Sequence, residues 1–168
     1  PDIAHKTEGG VGRLGLADGD AVRAAFPGIV EAARRIEPRP AVKGVLVQPM
    51  IAAGVELVVG AQNDPTFGPM VVAGLGGIMV ELIKDSAAEL APVTREQAAA
   101  MLKRLKGYPL LTGFRGSDPV DIDAVQNIIV AVSELAADHA ADIAEIDVNP
   151  IICGPGRAIA VDALIVRT

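Results

Sequence analysis

Short apolar runs, broken by Gly and Pro, fill the middle of this chain and limit what it can fold into. Each run is of strand length and each break carries a turn signal, at Ala53-Gly54, Asn63-Asp64-Pro65 and Gly76-Gly77. The runs predict strands over Val42–Met50, Val55–Gln62, Pro69–Gly74, Ile78–Ile83 and Glu89–Pro92. Two more are expected at Ile143–Asn149 and Ala158–Val166. Strands joined by tight turns, with a few helices, indicate an α+β fold with a mostly antiparallel sheet.

Helical periodicity appears on both sides of this region. Asp18 stands as an N-cap before Ala21–Ile36, where Pro27 and Gly28 predict a break or kink near Phe26. A short strand is expected before it, at 13–16. Thr94 and Gln97 form a capping-box pattern that opens a helix over Arg95–Lys106, and Asp121 opens a longer one that ends at His139. These helices supply the layer that covers the sheet.

Composition excludes several classes of function. The chain has 168 residues, enough for one domain, and 51% are apolar although only four are aromatic, so the core must be aliphatic. A net charge of −6 without a Lys/Arg cluster argues against nucleic acid and anionic membranes as partners. The longest apolar run, Val71–Val80, is too short to cross a bilayer, and the single Cys153 suits a reducing cytoplasm.

The segment 145–150 carries the strongest chemical signal. In a strand, Glu145, Asp147 and Asn149 share one face. If 154–157 is the loop, Asn149 faces Asp162 within one residue, and Asp162 is otherwise flanked by apolar neighbours. Such oxygen donors suit Mg²⁺ that shares its remaining ligands with water and phosphate, so Asn149 and Asp162, assisted by Asp147 or Glu145, form a candidate metal site. A solvated strand face with no function is the alternative.

The glycine-rich start is chemically ambiguous. His5 and Lys6 precede glycines that let a backbone approach phosphate closely, but the spacing differs from that of the common phosphate loop. A surface turn is the alternative, with His5 either inert or a phosphoryl acceptor. The other histidine, His139, is expected to cap a helix C-terminus.

Taken together, several segments resemble the ATP-grasp domain of ADP-forming acyl-CoA synthetases, which are related to the succinyl-CoA synthetase β subunit. The matching segments lie in order along the chain: 5–8 with the following glycines, 47–50, 54–60, 64–69, 74–77, Leu111–Gly116 and 145–150. The resemblance implies an ATP-grasp fold, with ATP or ADP and Mg²⁺ as cofactors.

The resemblance also implies roles for individual residues. Gln48, Pro49 and Met50 would meet the adenine edge, Glu56 the ribose, and Gly76 and Gly77 the nucleotide or an incoming phosphohistidine loop. Asn149 and Asp162 would hold Mg²⁺, His5 would relay phosphate, and Arg115 would stabilise phosphate charge.

Two departures from the family pattern stand out. The usual histidine loop has one more residue before its Gly-Gly-Val, and the lobe that supplies a phosphate-binding Lys would precede Pro1. We therefore expect residues 1–168 to be one ATP-grasp domain without its N-terminal lobe, inactive alone.

The expected reaction is acyl-CoA + ADP + phosphate = carboxylate + ATP + CoA, through phosphohistidine. The expected partners are CoA-binding and ligase domains in an oligomeric, cytoplasmic enzyme, with acyl-CoA bound only indirectly. The alternative is a non-catalytic regulatory domain fused to a protein acetyltransferase. An ATP-grasp ligase of another branch fits segments 64–69 and 111–116 less well.

Overall fold

A computed structural model of the chain describes residues 11–36, 41–77 and 84–168, and it divides the chain into two compact units, residues 1–52 and 53–168. In the first unit, α1 spans Gly19–Arg34, and the Asp18 carboxylate caps it by accepting the Ala21 N–H at 2.8 Å. Of the two alternatives predicted near Phe26, a break or a kink, the break is wrong, since the helix continues through Pro27. Proline removes one backbone hydrogen bond, while the N-cap and the other backbone bonds hold the helix on both sides.

The strands predicted at 13–16 and Val42–Met50 are also wrong. Residues 11–17 and 41–54 have no regular secondary structure, and Leu46 and Val47 are 78% and 64% exposed. A strand needs a partner for its backbone N–H and C=O groups. Among the described residues of the first unit, none forms such a partner strand.

The second unit contains a six-stranded sheet. Its strands are β1 (Val55–Asp64), β2 (Gly68–Leu75), β3 (Ser86–Leu90), β4 (Ile143–Gly154), β5 (Arg157–Ala160) and β6 (Ala163–Arg167). The order is β3-β2-β1-β4-β5, with β6 also paired to β4, and every pairing is antiparallel. The predicted fold class, α+β with an antiparallel sheet, is confirmed.

Turns set the register of the first hairpin. The Asp64 carboxylate accepts the N–H groups of Thr66 and Phe67, at 2.8 and 2.9 Å, which closes the turn between β1 and β2 at the predicted place. Strand β3 begins at Ser86, earlier than predicted, because it pairs with residues 70–74 of β2. The strand predicted at Ile78–Ile83 lies outside the described residues.

Among the described residues of this unit, three helices accompany the sheet: α2 (Arg95–Arg104), α3 (Tyr108–Leu111) and α4 (Ile122–Asp138). The capping box is confirmed, with Thr94 Oγ1 accepting the Gln97 N–H and Gln97 Oε1 accepting the Thr94 N–H. The Asp121 side chain caps the start of α4 by accepting the Ala124 N–H, and His139 lies at the C-cap position, where its backbone N–H donates to the Leu135 carbonyl oxygen. The short helix α3 was not predicted.

The core is aliphatic, as expected. Its largest fully buried side chains include Leu57, Met101, Leu102, Leu111 and Ile129. All three phenylalanines are exposed, by 47% to 68%. No helix in the described part of the chain is long and apolar enough to cross a membrane.

Candidate functional site

The strands β1 and β4 present two chemically different faces. On β4, Ile146 and Val148 are buried while Glu145 and Asn149 are exposed and Asp147 is half-buried. On β1, Leu57, Val59 and Ala61 are buried toward the core, which leaves Glu56, Gly60 and Gln62 on the opposite side. Register pairs Gly60 with Asp147 and Gln62 with Glu145. We call this second side, defined by Glu56, Gly60, Gln62, Glu145, Asp147 and Asn149, the polar face.

The hairpin β4–β5–β6 brings Asn149 beside Asp162, as the sequence predicted. The Asn149 N–H donates to the Asp162 carbonyl oxygen at 3.1 Å, and β4 pairs on both sides of this point in the predicted register. Asp162 lies between β5 and β6, where its Oδ1 accepts the Ala163 N–H at 3.0 Å. Asp147 lies two residues from Asn149 on the same strand face. The three predicted metal ligands therefore belong to one short stretch of sheet.

The donor set fits a shared rather than an enclosed metal site. Two carboxylates and one amide oxygen suit Mg²⁺, which keeps several waters and binds substrate phosphates. In the described part of the chain, no group of three or more His, Cys, Asp or Glu side chains is arranged to hold a metal alone. A cation here would therefore take its remaining ligands from water or a phosphate-bearing ligand.

Gly76 and Gly77 contact Glu56 at the end of β2. The Gly76 N–H donates to the Glu56 carbonyl oxygen at 2.6 Å, and a Cβ on Gly76 would lie 2.9 Å from the Glu56 Cβ. Gly77 has a φ of +67°, and a Cβ there would come within 3.0 Å of Glu56 Oε2. Glycine is favoured at position 76 because a side chain there would meet the backbone and Cβ of Glu56, and at position 77 because the backbone has a positive φ.

A shallow depression of about 160 Å³ opens on the polar face. Gly60, Gln62, Val72, Glu145 and Asp147 are among its lining residues. Gly60 and Gln62 were not among the predicted site residues. A glycine within an apolar strand is a signal of close approach by another group, and it could have identified Gly60.

The remaining predicted residues do not belong to the polar face as defined above. Arg115 sits on the exposed loop between α3 and α4, with a φ of +52° and its guanidinium 5.4 Å from the Phe114 ring centre. Gln48, Pro49 and Met50 are exposed in the first unit and form no regular secondary structure. His5 lies outside the described residues.

Comparison with known proteins agrees with this architecture. Residues 1–166 match the family model for the ATP-grasp domain. The chain belongs to this ATP-grasp family, so the predicted resemblance is confirmed.

The named relatives specify the branch of the family. The chain is 44% identical over 163 residues to the acetate–CoA ligase [ADP-forming] I subunit beta of Pyrococcus furiosus, covering 97% of this chain and 70% of that subunit. It is 40% identical over 151 residues to the acetate–CoA ligase [ADP-forming] I of Archaeoglobus fulgidus, covering 90% of this chain but only 22% of that protein. The domain therefore corresponds to part of a separate subunit in one relative and to a small part of a longer chain in the other.

Solved structures match closely as well. One is the dinucleotide-forming acetyl-coenzyme A synthetase 1 of Ca. Korarchaeum cryptofilum with coenzyme A, Ca-AMPCP and HgCl+, at a TM-score of 0.92 and 39% identity over 99% of this chain and 72% of that one. The same enzyme with coenzyme A and Mg-AMPPCP has its phosphohistidine segment pointing towards the nucleotide binding site. That match has a TM-score of 0.86 and 38% identity, covering 100% of this chain and 73% of that one. Nucleotide analogues and divalent cations are thus bound by proteins of this fold.

Proposed function

We propose that this chain provides the nucleotide- and Mg²⁺-binding, phosphoryl-transfer part of an ADP-forming acid–CoA ligase. The observation that carries the proposal is the juxtaposition of Asn149 and Asp162 in a domain whose structural neighbour holds Mg-AMPPCP. Oxygen donors without a complete cage are what a cation shared with phosphates requires.

The chain's own residues would bind and orient the nucleotide. Gln48 to Met50 would contact the adenine edge through backbone groups, and Glu56 would accept hydrogen bonds from the ribose hydroxyls. Gly76 and Gly77 would let backbone N–H groups approach phosphate, and Arg115 would add positive charge in the assembled enzyme. Asn149 and Asp162, with Asp147, would hold Mg²⁺, which neutralises phosphate charge during transfer.

The reaction proceeds by phosphoryl transfer. Acyl-CoA and phosphate give acyl phosphate and free CoA, and the acyl phosphate then phosphorylates a histidine and releases the carboxylate. At this domain the P–N bond of phosphohistidine breaks, a P–O bond to the terminal phosphate oxygen of ADP forms, and the imidazole takes up a proton. Positioning and charge stabilisation are the main catalytic requirements of such a transfer.

Other parts of the enzyme complete the reaction. The CoA-binding and ligase domains would be supplied on the same chain or by a partner subunit, as the two kinds of relative suggest. We propose a cytoplasmic location for the complete enzyme, since the unpaired Cys153 suits a reducing compartment, and an oligomeric state as a separate expectation.

Calorimetric titration of the full-length protein with Mg·ADP tests the metal assignment. Replacing both Asn149 and Asp162 by Ala should weaken Mg·ADP binding at least ~10-fold and remove its dependence on Mg²⁺. The matched control replaces Asn127 and Asp123 by Ala, an exposed pair on α4 that binds only Arg95. Unchanged affinity in the Asn149/Asp162 variant would contradict the metal assignment. A wild-type protein that does not bind Mg·ADP would instead contradict the proposed function.

His5 is proposed to relay the phosphoryl group. Acid-labile ³²P labelling of the full-length protein should fall when His5 is replaced by Ala and persist when the other histidine of this chain, His139, is replaced. Label retained in His5→Ala would exclude His5 from the relay.

A further inference from the structure

Asp85 is a buried carboxylate that the proposed reaction does not use. It lies between β2 and β3 and is only 7% exposed. Its Oδ1 accepts the Lys106 N–H and its Oδ2 the Gly107 N–H, both at 2.8 Å. Because a buried charge is costly unless it is hydrogen-bonded, this pair of bonds fixes both the carboxylate and the chain that follows α2.

The same residue holds the end of β2. The Leu75 N–H donates to the Asp85 carbonyl oxygen at 3.3 Å. Gly107 packs beneath Leu75 so tightly that a Cβ at position 107 would lie 2.1 Å from Leu75 Cδ1. Leu75 is therefore held both through its backbone and through its side chain.

Leu75 is the last residue before the two glycines that contact Glu56. The Gly76 N–H donates to the Glu56 carbonyl oxygen, and a Cβ on Gly77, whose φ is +67°, would lie 3.0 Å from Glu56 Oε2. The contacts form a continuous series from the end of α2 through Asp85 and Leu75 to Gly76. The backbone of Leu75 and Gly76 is therefore fixed by hydrogen bonds to two residues, Asp85 and Glu56.

We propose that Asp85 is a positioning residue that sets the Gly76–Gly77 backbone for the nucleotide while itself remaining out of contact with it. This inference rests on the proposed function, because it assumes that Gly76 and Gly77 face the nucleotide. Both carboxylate oxygens of Asp85 are needed because each accepts one backbone N–H. Asparagine at this position would offer one acceptor oxygen and turn an NH₂ group against the other N–H.

The test compares Asp85→Asn with Ser133→Ala in the full-length protein. Ser133 is a buried polar residue on α4, with its Oγ accepting the Val93 N–H at 3.0 Å and donating to the Val130 carbonyl oxygen at 2.7 Å, and neither bond involves Gly76 or Gly77. Both variants should unfold at a lower denaturant concentration than wild type. At a temperature where all are folded, Asp85→Asn should raise the Kd for Mg·ADP by ~10-fold or more, as losing an outer-shell partner does, whereas Ser133→Ala should leave it within about twofold.

Hydrogen exchange distinguishes positioning from general loss of stability. The Gly76 N–H should exchange faster in Asp85→Asn than in Ser133→Ala at matched global stability. Should Asp85→Asn not fold, Asp85→Glu, which keeps both acceptor oxygens on a longer side chain, takes its place with the same expectation of weakened binding.

The outcomes separate the two proposals. Wild-type affinity in the folded Asp85 variant, or an equal loss in Ser133→Ala, would overturn the positioning role. Failure of the wild-type protein to bind Mg·ADP would instead overturn the proposed function. Weakened binding with faster Gly76 exchange, confined to the Asp85 variant, supports the positioning role.

Discussion

The two faces of the sheet show how one pair of strands serves two purposes. Toward the core, Leu57 and Val148 are buried beneath or beside the helices, and they contribute to stability. On the polar face, Asp147 and Asn149 remain accessible, and their side chains contribute to the candidate site. Because alternation along a strand separates the faces residue by residue, folding and ligand binding can be changed independently.

The largest expected change in stability comes from a cavity on the core side of the sheet. Leu57→Ala should lower the free energy of unfolding by about 2–5 kcal/mol, since Leu57 is fully buried. Its neighbour Val58, half-buried on the other side, is the matched control, and Val58→Ala should cost about 1 kcal/mol or less. Urea unfolding measures both, and equal losses would show that the two faces do not differ as described.

The buried thiol of Cys153 should make the stability of the core face depend on pH. Burial raises the pKa of Cys153 from 9.0 to about 11, because the thiolate would be formed away from water. Stability from this group is fully present below pH 9 and is lost as pH rises toward 11, by an amount on the order of 1–3 kcal/mol. The difference in unfolding free energy between wild type and Cys153→Ala should therefore change over this window, and a pH-independent difference would contradict a dry environment.

A smaller effect is expected from the helical layer that covers the core side. Thr94→Ala removes the side-chain acceptor of the capping box and leaves the Gln97 N–H without it. The loss should be about 0.5–2 kcal/mol of unfolding free energy. Thr94→Ser, which keeps the hydroxyl, should restore most of it, and failure of that rescue would assign the loss to the missing methyl group instead.

The smallest expected change is a gain in stability instead of a loss. Glu145 and Asp147 share the polar face about 7 Å apart, where like charges repel by ~0.6 kcal/mol in water. Glu145→Gln should therefore stabilise the protein slightly at low salt, and the gain should disappear in high salt. A measurable loss of stability at both salt concentrations would show that Glu145 supports the fold.

The sequence predicted those parts of the molecule that local rules determine. The tight connection after Gly154 fixed which residues of β4 and β6 are opposed, so the adjacency of Asn149 and Asp162 followed from counting along two strands. Likewise, Thr94 and Gln97 form their box from neighbouring backbone groups alone. The assignment of ATP-grasp family membership, by contrast, came from the resemblance of many ordered segments.

The features that the sequence did not predict depend on residues that are far apart along the chain. Residues 42–50 have the composition of a strand but no pairing partner among the described residues of their unit. Asp85 carries no local pattern, because its role arises only when residues 106 and 107 fold against it. The role of Arg115 stays a prediction, since the motif identifies the residue and the structure places it on the loop between α3 and α4.

Because one hairpin brings Asn149 beside Asp162, the number of residues between them determines whether the two side chains remain adjacent. A residue inserted between them would shift β6 by one position against β4 and turn its side chains to the other side of the sheet. Substitutions in this stretch should therefore be accepted far more readily than insertions or deletions, even in its exposed turn at Pro155-Gly156. In an evolving or engineered version of this domain, the spacing between the two oxygen donors should persist after most of the residues between them have changed.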